Sequence, residues 1–115
     1  MSPELAQQIL FFELQVRFGN WLLANGYQCT YGEAWRSPEE AAIQAAKGAG
    51  IVHSLHTERM AIDLNAWRDG KELVSADDYR PLGEQWKSMH PLARWGGDFT
   101  RVDADHFSLT FEGVS

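Results

Sequence analysis

The sequence contains a single cysteine, Cys29, so neither an intrachain disulfide nor a zinc finger built on several thiolates is open to it. Cys29 lies in a stretch of β-favouring residues and is expected to be a small buried hydrophobe. No run of lysine or arginine occurs, and the formal net charge is −6. Nucleic acid and anionic membrane both reward clustered cations, so neither is expected as a partner. No apolar stretch approaches the length of a membrane span, and "MSPELAQQILFFELQ" has no basic segment ahead of its apolar residues. The expectation is synthesis in the cytoplasm without a signal peptide. Repeats, low-complexity tracts and linkers are also missing, so residues 1–115 are taken as a single domain.

The chain does have apolar and aromatic residues. With 44% hydrophobic residues and five tryptophans in 115 positions, it has enough apolar surface for one real core. Ser2-Pro3-Glu4 carries a helix start: a capping hydroxyl, a proline at the first helical position and an acid in the first turn. Leu5, Ile9, Phe12, Val16 and Leu23 then recur at helical spacing until Asn25-Gly26, which predicts a core-packing helix. "YQCTYGEAW" predicts a strand leading into a loop. Ser37-Pro38-Glu39-Glu40 has capping-box spacing, and the alanine-rich helix after it is expected to end near Gly48, with "KGAG" as a loop. "AIDLNAW" is a strand followed by a turn at Asp69-Gly70. "ADDYRPLGEQWKSMH" is a third helix, broken around Pro81, and "PLARWGGDFTRVDAD" has the character of a loop. "HFSLTF" alternates and is the last strand. Helices and strands in this order predict an α+β domain with helices packed on a small sheet.

Candidate chemistry begins with Asp63, a carboxylate between Ile62 and Leu64. In a strand, Ala61, Asp63 and Asn65 share one face, which is either a solvated face or a ligand-bearing one. In "DHFSLTF", His106, Ser108 and Thr110 share a face in the same way. If the two strands are neighbours, Asp63 and His106 project together. His56 lies seven residues before Asp63, and two histidines with one carboxylate suit a zinc ion with an open position. Asp103 precedes His106 by three residues, so it reaches the same site only from a loop with a bend before the strand. A carboxylate there can move a proton during hydrolysis. Asp105 is a rival, expected to point away because it adjoins the histidine.

Ser54-Leu-His56-Thr-Glu-Arg-Met-Ala61-Ile-Asp63 resembles the S-x-H-x-x-G-x-A-x-D motif of the peptidoglycan-cleaving zinc peptidases. These are the D-alanyl-D-alanine carboxypeptidase and VanY-like family, which includes phage endolysins that cut the L-alanyl-D-glutamate bond. Asp103-Ala-Asp-His106 is similar to the family's second motif, and "YGEAWRSPEE" to the segment in which it places an arginine. The resemblance spans Tyr31 to Phe107. It implies a small, mostly antiparallel sheet with helices packed against it, as in the DD-peptidase and hedgehog-like fold. It also implies Zn²⁺ held by His56, Asp63 and His106, with Asp103 as general acid/base. Arg36 would polarise the scissile carbonyl or hold a substrate carboxylate, and Ser54 would brace the zinc loop.

The implied partner is a peptidoglycan stem peptide, cut by a monomeric enzyme that acts on the cell wall after release through a lysis pore. The competing class is a non-catalytic zinc-binding module of the same fold; an acid at Asp103 favours the enzyme. One position departs from the motif: Arg59 stands where the family has glycine, which implies an altered turn and a cation at the mouth of the cleft. His53 is expected beside the site or at the surface, and His90 at a helix end facing the dipole. Trp95 and "GGDF" form either a cleft wall or core.

Overall fold

The computed structural model describes residues 1–46, 55–56 and 58–115. The expected helix end near Gly48, the loop "KGAG", His53 and Ser54 lie outside those residues. In chain order the elements are α1 (Pro3–Ala24), β1 (Tyr27–Tyr31), α2 (Pro38–Ala46), β2 (Ala61–Arg68), β3 (Lys71–Glu72), α3 (Ala76–Met89), β4 (Ala93–Trp95) and β5 (His106–Leu109). The sheet runs β1-β2-β5-β4, with β3 added to β2, and every pairing is antiparallel. The fold is α+β, as expected.

Local chemistry accounts for most boundaries. Ser2 caps α1 by accepting the Leu5 amide, and Gly26 ends it at φ 82°, an angle that suits glycine. Asp69 and Gly70 both take positive φ, the pattern of a tight hairpin turn between β2 and β3. At α2 only half of the capping box forms. Ser37 Oγ accepts the Glu40 amide, but the Glu40 carboxylate bonds Gln44 instead. The complete box is at Ser75 and Asp78, where α3 begins.

Several expectations about the elements change. α3 is continuous through Pro81, since the buried Tyr79, Leu82 and Trp86 anchor both sides of the proline and outweigh the hydrogen bond it removes. "ARW" is a strand, β4, paired with β5. β5 ends at Leu109, and Phe111 instead bridges Val114. Cys29 is exposed, because β1 is an edge strand with only Tyr27 buried.

α1 and α3 cover one face of the sheet. The Phe18 ring is tilted against Phe107 and Trp86, with centroids 5.0 and 5.3 Å away, and Ile62, Leu64 and Leu109 complete that layer. Each large side chain buried there contributes about 1.5–3 kcal/mol. The α1 residues that reach this core are Phe11, Leu14, Phe18 and Leu22. The stripe predicted to do so, Leu5 to Leu23, faces outward. The opposite face of β2 and β5 is left for polar side chains.

Candidate metal centre

Asp63 and His106 are direct cross-strand partners in the β2–β5 register. Opposed residues on one face of an antiparallel pair have neighbouring side chains, so pairing alone brings carboxylate and imidazole together. Asp63 is held on its other edge as well: its amide donates to Glu33 O at 2.7 Å, and its carbonyl accepts from Gly32 N at 2.8 Å. Gly32 matters here because a Cβ on it would stand 3.1 Å from the Asp63 Cβ.

His56 comes from the segment before β2 and is buried. Its Nε2 is 3.3 Å from Asp63 Oδ1, and His106 Nδ1 is 3.5 Å from the same oxygen. The three ligand atoms lie within 4.8 Å of one another. Zinc bonded tetrahedrally at about 2.0–2.1 Å sets its ligand atoms about 3.3–3.4 Å apart. Asp63 Oδ1 is buried without a hydrogen bond of good geometry, a costly state that a cation would relieve. The donor set and its spacing fit Zn²⁺.

The surrounding charges act on this trio. Burial would raise the Asp63 carboxyl, but the imidazoles of His106 and His56 outweigh it and hold it at about 2. Burial would lower His56, yet the adjacent Asp63 and then Glu33 leave it raised. His56 Nδ1 is 3.4 Å from Ala34 O and 3.8 Å from Glu33 Oε1, contacts that favour a proton on Nδ1 and leave Nε2 for a ligand.

Asp103 sits on the loop before β5, half exposed, with Oδ2 3.9 Å from His106 Nδ1. The bend is explicit: the Asp103 amide donates to Gly96 O, and the His106 amide donates to Asp103 O. Gly96 permits it, since a Cβ there would stand 2.0 Å from Asp103 O. Asp105 does not point away as expected. It turns into the group formed by Asp63 and Asp103, and its carboxyl is pushed up to about 7. Burial is the largest cause, followed by a hydrogen bond with Asp103 and the charge of Asp63. A neutral Asp105 can thus donate to Asp103.

Arg36 lies in the loop after β1. Its amide donates to His56 O, and its guanidinium is paired with Glu33 while Nε is buried without a partner. The structure brings it beside the ligand loop. Glu33 was missed in the sequence. Its only signal is a carboxylate three residues before Arg36, whereas its link to His56 spans 23 positions. Arg59 takes φ 58°, the left-handed angle that the motif's glycine would suit, and its guanidinium lies 5.0 Å from the centre of the Trp35 ring. His90 caps α3, its Nδ1 accepting the Leu92 amide. Trp95 is core, fully buried and donating to Ala104 O.

Residues 47–109 match the D-alanyl-D-alanine carboxypeptidase family of peptidases. The chain belongs to that family. His56, Asp63, Asp103 and His106 fall inside the matched residues, and Arg36 falls before them. Among solved structures, the chain is similar to the L-Ala D-Glu endopeptidase ChiX of Serratia marcescens, with a TM-score of 0.65 and 25% identity over 86% of this chain and 79% of that one. No curated protein matches. Among the described residues, no helix is long and apolar enough to cross a membrane.

Proposed function

We propose that this member of the carboxypeptidase family is a zinc-dependent hydrolase of a peptide bond in the stem peptide of bacterial peptidoglycan, of the phage or prophage endolysin type. The observation that carries the reading is the trio His56, Asp63 and His106, with Asp63 Oδ1 3.3 and 3.5 Å from the two imidazole nitrogens, and the Asp103 carboxyl beside it. Similarity to an L-Ala D-Glu endopeptidase supports an endopeptidase acting between L-alanine and D-glutamate; D-alanyl-D-alanine carboxypeptidase activity is the other member of the pair.

When bound, Zn²⁺ supplies Lewis acidity to the scissile carbonyl and lowers the pKa of water at the open position. His56, Asp63 and His106 hold it from the polar face of the sheet. Asp103 takes the proton of the attacking water and delivers it to the leaving amine nitrogen. Its exposure lets it reach substrate, and the adjoining Asp105, its carboxyl pushed up to about 7, can hold it by donating a hydrogen bond when protonated. Arg36, braced by Glu33, polarises the carbonyl or holds a carboxylate of the stem peptide.

The test is zinc content together with mass spectrometry of fragments released from purified cell walls. Wild type is expected to bind one zinc per chain and to release fragments cut at a single bond type. Asp103→Ala is expected to retain zinc and lose activity by about 10²–10⁴-fold. Absence of zinc binding would sink the reading. Zinc binding without any hydrolysis by wild type would leave the non-catalytic module.

A further inference from the structure

α1 carries two apolar stripes, and only one reaches the core. Leu5, Ile9, Phe12, Val16 and Leu23 stay exposed, Phe12 at 66% and Leu23 at 72%. At about 100° per residue, this set lies about 150° around the helix from the buried one. It follows a four-three-four spacing, and Gly19 continues it to Leu23: the pattern of a coiled-coil seam. A helix apolar on both sides is ordinarily covered on both sides.

We propose that this face is the interface of a homodimer, with α1 packed antiparallel against α1 of a second copy across a two-fold axis. The seam is complementary to itself. Centred between Phe12 and Val16, it sets Phe12 against Val16, Leu5 against Leu23 and Ile9 against Gly19 of the other copy. A Cβ on Gly19 would meet no atom within 4 Å, so the bare backbone there leaves a hole for the isoleucine. On one flank, Glu13 and Arg17 lie a turn apart, and the two-fold brings each glutamate beside the other copy's arginine. The apolar set runs from Leu5 to Leu23, about 27 Å along the helix, so the seam is continuous over about five turns.

The net charge of −6 opposes an anionic bilayer as the occupant. The dimer departs from the monomer expected above, and the exposed stripe is the reason to propose it. α1 lies on the sheet face opposite His56, Asp63 and His106, so both clefts of the dimer stay open. If the proposed function holds, two clefts engage one polymeric substrate and raise each other's effective concentration.

Sedimentation velocity of the full chain across the micromolar range tests the interface. Wild type is expected to be a dimer. Phe12→Glu is expected to raise the dimer dissociation constant on the order of a hundredfold or more, with circular dichroism and zinc content unchanged. In a Cys29→Ser background, Leu5→Cys/Leu23→Cys is expected to cross-link on oxidation, whereas Leu5→Cys alone is not. A wild type that stays monomeric, a dimer indifferent to Phe12→Glu, or equal cross-linking by Leu5→Cys alone would overturn the proposal. So would a monomer that binds phosphatidylglycerol vesicles through Phe12.

Discussion

Arg59 shows how one residue can be tolerated where the family's motif has glycine. Its φ of 58° is a backbone angle that costs a non-glycine residue on the order of 1–3 kcal/mol. The stack on Trp35 returns about 0.5–1 kcal/mol at an exposed site. Arg59→Gly relieves the strain but loses the stack and adds about 0.4–1 kcal/mol of unfolded-chain entropy, so its net effect on stability is expected to lie within about 1 kcal/mol. Arg59→Val loses the stack and adds strain, because a β-branched side chain tolerates this angle less well than arginine does, so it is expected to cost about 2 kcal/mol. Urea denaturation of the two variants distinguishes them, and equal losses would show that the angle carries no strain. Glu33 is the residue-scale counterpart beside the trio, paired with Arg36 and close to His56 Nδ1. Glu33→Gln is expected to weaken zinc binding about 10–100-fold in competition with a chromophoric chelator. Unchanged affinity would mean that Glu33 does not help to orient the imidazole.

Trp95 links α3, β4 and the loop that carries Asp103 at the scale of elements. Its ring is pressed against Gly83 of α3, where a Cβ would stand 2.1 Å away, and its Nε1 donates to Ala104 O at 2.7 Å. Gly83→Ala would gain about 1 kcal/mol of helix propensity. It would also force apart a fully buried tryptophan, at a cost of about 3 kcal/mol. The clash wins, and a net loss of about 2 kcal/mol is expected in chemical denaturation, with zinc affinity retained. Gly96→Ala is expected to lower stability and zinc affinity together, because the clash falls on Asp103 O and the His106 Cβ. If both variants keep wild-type affinity, the Gly96 turn does not position the site. The sequence made β2 and β5 legible, and with them the facing of Asp63 and His106, because period-two alternation and the pairing of strands need few residues. It did not reveal which stripe of α1 is buried: both sets sit at helical spacing, and only the packed sheet distinguishes them. β4 was hidden because its three residues become a strand only by pairing with β5. Asp105 was misjudged because the turn at Asp103–His106 breaks the alternation on which its direction was read.

The whole molecule divides its sheet, with one face given to the helices and hydrophobic packing and the other to buried imidazoles ringed by partly exposed acids. That cluster ties stability to pH, and the sign depends on zinc. Without metal, His56 has a raised pKa: burial opposes the shift, and Asp63 outweighs it. Folding therefore favours protonated His56. This contribution is full below the ordinary value of 6.5 and is lost as pH rises through the raised one. Asp63, held at about 2 against an ordinary 3.8, contributes above 3.8 and loses that contribution as pH falls through about 2. The pair therefore stabilises the metal-free protein most between those limits. Zinc held by the trio would reverse the upper limb, because it requires neutral imidazole and would displace the His56 proton. From pH 6 to 8 the Tm of chelator-treated protein is expected to fall, while the margin by which zinc raises Tm widens. Differential scanning calorimetry at matched ionic strength reads both slopes. A margin that stays constant or narrows over that range would mean that His56 does not give up a proton to bind the ion.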